Sequence, residues 1–367
     1  MPLIKQFLKS KPEVKVTTPA AATTTPPAQL PRTAGEESSL PVVLFGIMAA
    51  LLLVGGVMLR RHPRARVAFT TGSDTGRLAH EAGLDVAADA YFLAMPHGVA
   101  ATYAARLREA RPEAVVVDLS GDLRLPTAES YKRWYGQEHK APHLIGQAVF
   151  GLSEVYRERL PGARLVSNPG CYATSVMLPL VPLLRGGLVE ADGIVADAKS
   201  GATGAGRALR EDLLFCEVAE SFSAYSPGRT HRHVGEIEAV LLETTGRSLE
   251  LTFCPHLLPV KRGILTAIYV EPKGDVEALR RALHAAYDAS AFVHVMDDAP
   301  PRLSDVVETN DCRISVHAGA KGRAVVFSAI DNLVKGAAGQ AIQNLNLAMG
   351  WPEADGLPSA FEPGAAR

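Results

Sequence analysis

The sequence predicts an α/β protein of two domains: a domain built on a parallel sheet, then an α+β domain with a mainly antiparallel sheet. From about residue 64 to 120, short apolar strands alternate with helical segments, which is typical of a parallel sheet. After Cys171, longer strand-like segments such as LELTFCPHLLPV and RAVVFSAI accompany the helical stretch DVEALRRALHAAYDA. A chain of 367 residues with 47% hydrophobic and 21% charged residues has room for both domains.

Composition excludes several classes of function. A net charge of -1 does not favour nucleic-acid binding, which usually requires a basic domain. The four cysteines are scattered and form no CxxC pair, so neither a disulfide scaffold nor a zinc site is expected. We therefore predict no metal and a reducing compartment for the globular part.

The first segment, residues 1–39, is rich in Pro, Thr and Ala and has few large apolar side chains. Such a segment cannot bury enough surface to offset its chain entropy, so we expect it to be disordered.

Residues 40–61 have two open interpretations. LPVVLFGIMAALLLVGGVML, residues 40–59, carries no charge and precedes the basic RRHPRAR. Twenty apolar residues in a helix span about 30 Å, which is enough to cross a bilayer with the basic cluster on the cytoplasmic side. The other interpretation is a buried first strand and helix of the parallel sheet.

The following elements are read in chain order. Strands are expected at RVAFTT, AYFLAMP and AVVVDLS, with helices at GRLAHEAG and GVAATYAARLREA. A final helix, NLVKGAAGQAIQNLNLAMG, ends at Gly350 before Trp351 and Pro352. We assign residues 62–170 and 331–353 to the first domain, residues 171–330 to the second, and residues 354–367 to a tail.

Cys171 lies in SNPGCYATS, just before an apolar helix. Asn168 is a good N-cap and Pro169 suits the first helical position, which puts Cys171 in the first turn. There the free backbone N–H groups and the helix dipole favour a thiolate, and we expect a lowered pKa for the cysteine. The alternative is a small core residue, the more frequent role of a lone cysteine in this position.

A nucleophilic cysteine needs a proton partner, and THRHVGEIE offers His231, His233 and Glu236. His233 and Glu236 are three residues apart, which suits one helical face, although a solvated helix start has the same composition.

Two further stretches are candidates for binding an anion. Gly201, Gly204 and Gly206 in KSGATGAGR, with Lys199 and Arg207, form either an anion-binding loop or a flexible turn. PHLLPVKRG adds His256, Lys261 and Arg262 as partners for a carboxylate or phosphate.

Together these stretches resemble one family, the N-acetyl-γ-glutamyl-phosphate reductases of arginine biosynthesis, from about residue 58 to 353. The motifs that carry the resemblance are FLAMPHGVA (92–100), VDLSGDLRL (117–125), FGLSEVYRE (150–158), SNPGCYATS (167–175), KSGATGAGR (199–207), HRHVGEIE (231–238), PHLLPVKRGILTAIY (255–269) and SAIDNLVKGAAGQAIQNLNLAMG (328–350).

The resemblance implies an NADPH-dependent reductase with a Rossmann-like first domain. Cys171 would form a thioester with the acyl phosphate, His233 would be the general acid/base, and Glu236 would orient His233. Implied NADPH contacts are Gly46, Ser73, Arg77, Pro96, Gly201 and Asn332. Implied substrate contacts are Ser200, Arg207, His231, Arg232, His256 and Arg262. The family also implies a homodimer or homotetramer with a cytoplasmic catalytic part.

The N-terminus departs from the family pattern. The family's glycine-rich first turn should fall near residues 46, 49 and 52, where this chain has Gly46, Ala49 and Leu52. LPRTAG followed by the apolar span and Arg60–Arg61 resembles a sortase-type sorting signal. We therefore hypothesise a fusion with its junction near residues 56–62, a membrane tether through residues 40–59, and a missing first strand that exposes a sheet edge. The alternative is a degenerate first strand and helix.

Other functions stay open on the sequence alone. One is the related reductase for carrier-linked aminoadipyl phosphate in lysine synthesis. Another is a Cys-His acyl hydrolase or acyltransferase that uses Cys171 and His233 without nicotinamide. The third is a relative that has lost its cofactor.

Overall fold

The structure is a computed structural model that describes residues 40–46, 49–71, 83–206 and 211–360. Its strands and helices are arranged around two sheets. The strands are β1 Leu40–Gly46, β2 Ala65–Thr71, β3 Ala90–Ala94, β4 Val115–Asp118, β5 Val149–Phe150, β6 Leu165–Ser167, β7 Val195–Gly201, β8 Ser223–Ala224, β9 Thr252–Leu258, β10 Ile264–Val270, β11 Val293–Met296, β12 Cys312–Ala318 and β13 Ala324–Ile330. The helices are α1 Ala49–Arg61, α2 Ala100–Ala110, α3 Ala128–Tyr135, α4 Cys171–Arg185, α5 Phe215–Val218, α6 His233–Thr245, α7 Val276–Tyr287 and α8 Gly339–Ala348, with a π-helical turn at Val334–Ala338.

The first sheet has the strand order β2-β1-β3-β4-β6-β5, and all its pairings are parallel. The predicted parallel sheet is thus confirmed. Buried strands such as β3 and β4 are apolar throughout because helices cover both faces of a parallel sheet.

The apolar N-terminal span forms the first strand and helix of this sheet. β1 pairs with β2 on one side and with β3 on the other, and α1 is a helix of 13 residues. A helix of that length extends about 20 Å, too short for a bilayer. Among the helices of the described ranges, none has the length and apolar character that a membrane crossing requires.

The transmembrane interpretation of residues 40–59 is therefore wrong. The expectation of a missing first strand with an exposed sheet edge is also wrong, because β1 lies inside the sheet. The LPRTAG stretch and the disorder expected for residues 1–39 lie outside the described residues.

The second sheet has the strand order β11-β12-β13-β10-β7-β9-β8. The β8–β9, β7–β10, β10–β13 and β12–β13 pairs are antiparallel, and the β7–β9 and β11–β12 pairs are parallel. The sheet is mainly antiparallel, as predicted.

Helix α4 occupies the largest hydrophobic core of the described residues. Its residues Val176, Met177, Leu178 and Leu180 are fully buried, as expected for a helix that is apolar on all sides. The helix follows β6 after a short loop, so its N-terminus lies at the carboxyl edge of the first sheet.

Candidate active site

A cavity of about 180 Å³ opens at the carboxyl edge of the first sheet. Its walls come from the segments that follow β3, β4 and β6, from the start of α6, and from the π-turn. The lining includes Met95, Pro96, His97, Leu119, Ser120, Gly121, Arg124, Tyr135, Asn168, Gly170, Cys171, Thr203, Gly204, Arg232, His233, Asn332, Leu333, Gly336 and Ala337. In an open parallel sheet this edge is where ligands bind.

Cys171 is the first residue of α4 and lines the cavity. The N-cap is Gly170, with φ -72° and ψ 151°, and not Asn168 as the sequence predicted. Asn168 instead bonds across the loop: its Nδ2 donates to Ala337 O at 3.2 Å, and its Oδ1 accepts from Asn344 Nδ2 at 3.0 Å. A side chain held by these distant groups is not free to cap the helix beside it.

The predicted lowering of the Cys171 pKa is wrong. Burial raises the pKa of Cys171 to about 11, and the N–H of Tyr172 and the guanidinium of Arg124 lower it only in part. The helix N-terminus acts in the expected direction, but the apolar surroundings outweigh it. At neutral pH the resting site holds a thiol.

His233 begins α6 and is buried at the cavity wall. Its backbone N–H donates to His231 Nδ1 at 3.2 Å, and its ring lies 4.7 Å from that of His231. Burial, followed by His231, Arg124 and Arg232, holds the pKa of His233 well below its usual range. The imidazole is therefore neutral and able to accept a proton.

Gly170, the residue before Cys171, lies directly against the ring of His233. A Cβ at this position would collide with the ring of His233 and would lie 2.8 Å from Arg124 Nη1. The absence of a side chain at residue 170 thus lets the histidine ring and the guanidinium reach the loop before Cys171.

Glu236 does not orient His233, contrary to the prediction. Its Oε1 accepts the N–H of Gly170 at 2.8 Å, and its Oε2 lies 3.4 Å from Arg124 Nη1. The carboxylate therefore fixes the loop before Cys171 and the nearby arginine.

Arg124 is the site residue that sequence reasoning missed. Its Nε donates to Asn168 O at 2.8 Å and its Nη2 to Leu119 O at 2.8 Å. The guanidinium is largely buried and lines the cavity. The available signal was its position in VDLSGDLRL, shortly after the carboxyl end of a buried strand.

Arg232 also reaches the cavity, as predicted. It stacks over the ring of Tyr135 at 5.8 Å, and its Nη1 lies 3.4 Å from His97 Nδ1. Tyr135 and His97 were not among the sequence candidates. Two guanidinium groups, Arg124 and Arg232, thus give this cavity a positive wall.

Pro96 and Asn332, which the family resemblance implied as NADPH contacts, lie in the cavity lining. Asn332 Oδ1 accepts the N–H of Gly263 at 2.7 Å, and its Nδ2 donates to Thr203 Oγ1 at 3.0 Å. Gly46 ends β1 at the same edge of the sheet, just before α1.

Other sequence candidates lie away from the cavity lining. Arg262 is an ion-pair partner of Asp331, with Nε 2.7 Å from Oδ2, and His256 Nδ1 lies 3.2 Å from Asp197 Oδ1. Both side chains have partners inside the protein, and neither lies in the cavity lining.

Ser200, Gly201 and His231 are also absent from the lining. Ser200 is buried and donates to Gly201 O at 3.1 Å. Gly201 packs against the backbone of residue 262, where a Cβ would lie 2.6 Å from the amide nitrogen. The ring of His231 packs against the ring of His233. Ser73, Arg77 and Arg207 lie outside the described residues.

Two family models match the chain. One describes the NAD-binding domain of semialdehyde dehydrogenases and matches residues 58–163; the other describes their dimerisation domain and matches residues 171–332. Aspartate semialdehyde dehydrogenase II from Vibrio cholerae has a TM-score of 0.61 at 14% identity, covering 84% of this chain and 98% of that chain. The aspartate semialdehyde dehydrogenase with NADP from Candida albicans has a TM-score of 0.58 at 16% identity, with coverage of 84% and 98%. At these identities the likeness shows the fold, that of the semialdehyde dehydrogenase class.

Relatives with higher identity define the family within that class. N-acetyl-γ-glutamyl-phosphate reductase of Rhodospirillum rubrum is 44% identical over 331 residues, covering 82% of this chain and 92% of that protein. The reductase of Rhodopirellula baltica is 40% identical over 346 residues, covering 87% and 99%. The probable chloroplastic reductase of Arabidopsis thaliana is 46% identical over 273 residues, covering 73% and 67%. The chain belongs to the N-acetyl-γ-glutamyl-phosphate reductase family.

Proposed function

We propose that the chain reduces N-acetyl-γ-glutamyl phosphate with NADPH to N-acetylglutamate semialdehyde and phosphate, a step of arginine biosynthesis. Its membership of the reductase family supports the reaction. The observation that carries the proposal is Cys171 at the first position of α4, in one cavity with His233 and Arg124.

The residues of the cavity fit a nicotinamide dinucleotide. Pro96, Ser120 and Asn332 line the carboxyl edge of the sheet next to Cys171, and the N-terminus of α1 follows β1 after two residues at that edge. A parallel strand followed closely by a helix N-terminus is the usual cradle for a pyrophosphate. Bound there, NADPH would supply the hydride for the thioester carbonyl.

In the first half of the reaction, Cys171 Sγ attacks the γ-acyl carbon. The C–S bond forms, the C–O bond to the phosphate breaks, and the phosphate leaves with the bonding electron pair. The neutral ring of His233 accepts the proton of the thiol as the C–S bond forms, since the resting pair is a thiol and an imidazole.

In the second half, the hydride from bound NADPH would form the new C–H bond at the thioester carbon. The C–S bond then breaks as the carbonyl re-forms, and the leaving Sγ takes back the proton from His233. The guanidinium groups of Arg124 and Arg232 favour a substrate that carries a phosphate, because they place positive charge in the cavity wall. The N–H groups at the start of α4 favour the oxyanion that forms at the carbonyl.

Family membership supports three further proposals, which concern the domain bounds, the oligomeric state and the compartment. We propose that the first domain comprises residues 62–170 and 331–353 and the second residues 171–330, with β1 and α1 added to the first. The second domain would assemble the protein as a homodimer or homotetramer, in keeping with the dimerisation-domain model that matches it. A reducing, cytoplasmic setting agrees with the four cysteines, all of which are free thiols.

The test is the reverse reaction. We expect the purified chain to reduce NADP with N-acetylglutamate semialdehyde only when phosphate is present, as followed by NADPH absorbance. Cys171→Ser should lower kcat/KM by more than about 10³-fold, because it removes the nucleophile. The matched control is Cys216→Ser, since Cys216 is exposed.

Three results would contradict the proposal. Lack of saturable NADPH binding in a fluorescence titration would exclude a reductase. Thioester hydrolysis without NADPH would indicate a hydrolase, and activity only with carrier-linked aminoadipate semialdehyde would move the chain to the lysine pathway.

A further inference from the structure

Lys335 is a fully buried cation next to the candidate active site. Its Nζ donates to Glu154 Oε1 at 2.6 Å and to Gln343 Oε1 at 2.8 Å. Glu154 is also buried. Burial raises the pKa of Glu154, but the charge and hydrogen bond of Lys335 and the hydrogen bond of Gln343 together hold that pKa below its usual range. The mechanism above uses neither charge, and a buried ion pair is weak evidence for stability.

The backbone of Lys335 belongs to the π-turn Val334–Ala338. Gly336 N donates to Asp331 O and Ala338 N to Leu333 O, both at 2.9 Å, which are the five-residue steps of a π-helix. Such a turn holds one residue more than an α-helical turn, so it persists only where its surroundings fix it.

The other side of this turn touches the loop that carries the cysteine. A Cβ on Gly336 would lie 2.7 Å from Cys171 Cβ, so the turn packs directly on the cysteine. The next residue, Ala337, accepts a hydrogen bond from Asn168 through its carbonyl oxygen at 3.2 Å. The π-turn therefore sets the position of both ends of the segment 168–171.

Separate contacts fix the chain on both flanks of the turn. Before it, Asp331 Oδ1 accepts the N–H groups of Leu333 and Val334 at 2.8 and 3.1 Å. After it, Asn344 Nδ2 donates to Gly151 O at 2.8 Å. Within the turn, the Lys335 side chain donates to Glu154 and Gln343, so it joins the turn to two other segments of the protein.

We propose that the Lys335–Glu154 pair is a positioning device: by holding the π-turn, it keeps Gly336 against Cys171 and so places Sγ for attack. The proposal rests on the function proposed above for Cys171. Without the pair, the turn would relax towards α-helical geometry and Cys171 would lose its lateral support.

The test removes both charges together. Lys335→Met with Glu154→Leu leaves no unpaired buried charge, and Gln343 keeps Asn310 Nδ2 and Glu353 Oε1 as partners. We expect thermal stability to stay near that of the wild type, because apolar replacement of a buried pair is often neutral or stabilising. We expect kcat to fall by about 10²-fold, the usual effect of a displacement of about 1 Å, with KM within about threefold of the wild-type value.

A second readout does not depend on turnover. Alkylation of Cys171 by iodoacetamide, followed by mass spectrometry at one pH, should rise by about threefold or more as Cys171 loses its contact with Gly336. The matched control is Lys273→Met with Glu190→Leu, because these residues form an ion pair on the surface, with Nζ 3.2 Å from Oε2. That double variant should leave kcat and alkylation unchanged.

Wild-type kcat and alkylation in a folded Lys335/Glu154 double variant would overturn the inference. If that variant does not fold, Glu154→Met decides: it removes the carboxylate from Lys335 and leaves Gln343 Oε1 as the partner of Nζ, so an unchanged kcat would overturn the inference equally. A wild-type chain without NADP reduction would refute the proposed function, whereas the alkylation comparison would still decide the role of Lys335.

Discussion

Cys171 lies between two opposing influences, a helix N-terminus that stabilises its anion and a buried setting that stabilises its neutral form. The first is local and visible in the letters NPGC. The second depends on packing by Gly336 and its neighbours, more than 160 residues further along the chain. Sequence reasoning therefore selected this cysteine as the candidate nucleophile but assigned the wrong direction to its pKa.

This balance makes a prediction about pH. Because burial raises the pKa of Cys171 to about 11, the thiolate fraction at pH 7 is small and rises about tenfold for each unit up to that value. We expect the alkylation rate of Cys171 to increase steadily from pH 7 to 10, as measured by mass spectrometry of its peptide. The exposed Cys216, read in the same digest, controls for loss of reagent. A rate that levels off below pH 9 would contradict the structure.

The sequence could not predict the hydrogen-bond and ion-pair partners of the longer side chains around the site. The spacing of His233 and Glu236 correctly indicated one helix, but the carboxylate turns to the Gly170 N–H and Arg124. Likewise Arg262 pairs with Asp331 and not with a ligand. These alternatives have similar local patterns, and only the folded arrangement decides between them.

At the scale of elements, residues 40–61 show a limit of hydrophobic periodicity as a predictor of secondary structure. A strand and a helix that belong to a parallel sheet can be as apolar as a membrane helix, so the pattern could not choose between them. The parallel strands from RVAFTT onwards were predicted correctly because turn residues and helical segments separate them.

The position of α1 can be tested by a core substitution. Leu59 is fully buried in the core of the first sheet, so Leu59→Ala should lower the free energy of unfolding by about 2–5 kcal/mol. Val57 is 41% exposed in the same helix, and Val57→Ala should have little effect. Equal denaturation midpoints for the two variants would show that α1 does not pack on the sheet.

At the scale of the whole molecule, the C-terminal segment links distant parts of the fold. Residues 354–367 were expected to be a tail, yet Asn310 N donates to Pro358 O at 2.7 Å and Ala360 N to Asp311 Oδ2 at 2.7 Å. Asn346 Nδ2 donates to Asp355 O at 3.0 Å. Contacts of this kind join residues far apart in the chain and leave no periodic signal in a sequence.

Removal of this segment tests its role. A chain ending at Ala354 loses several hydrogen bonds worth about 1 kcal/mol each, so its free energy of unfolding should fall by about 3 kcal/mol, as measured by urea denaturation. A chain ending at Ala360 keeps every contact named above and should match the full-length protein. Similar stability for all three chains would refute this role of the segment.

The contact between Gly336 and Cys171 also has a consequence for synthesis on the ribosome. The cysteine emerges about 165 residues before the glycine that packs against it. At roughly 5–20 residues per second, the nascent chain carries Cys171 for about ten seconds or longer before that neighbour is made. An incomplete chain therefore lacks this contact of Cys171, and the candidate active site is completed only when translation is nearly finished.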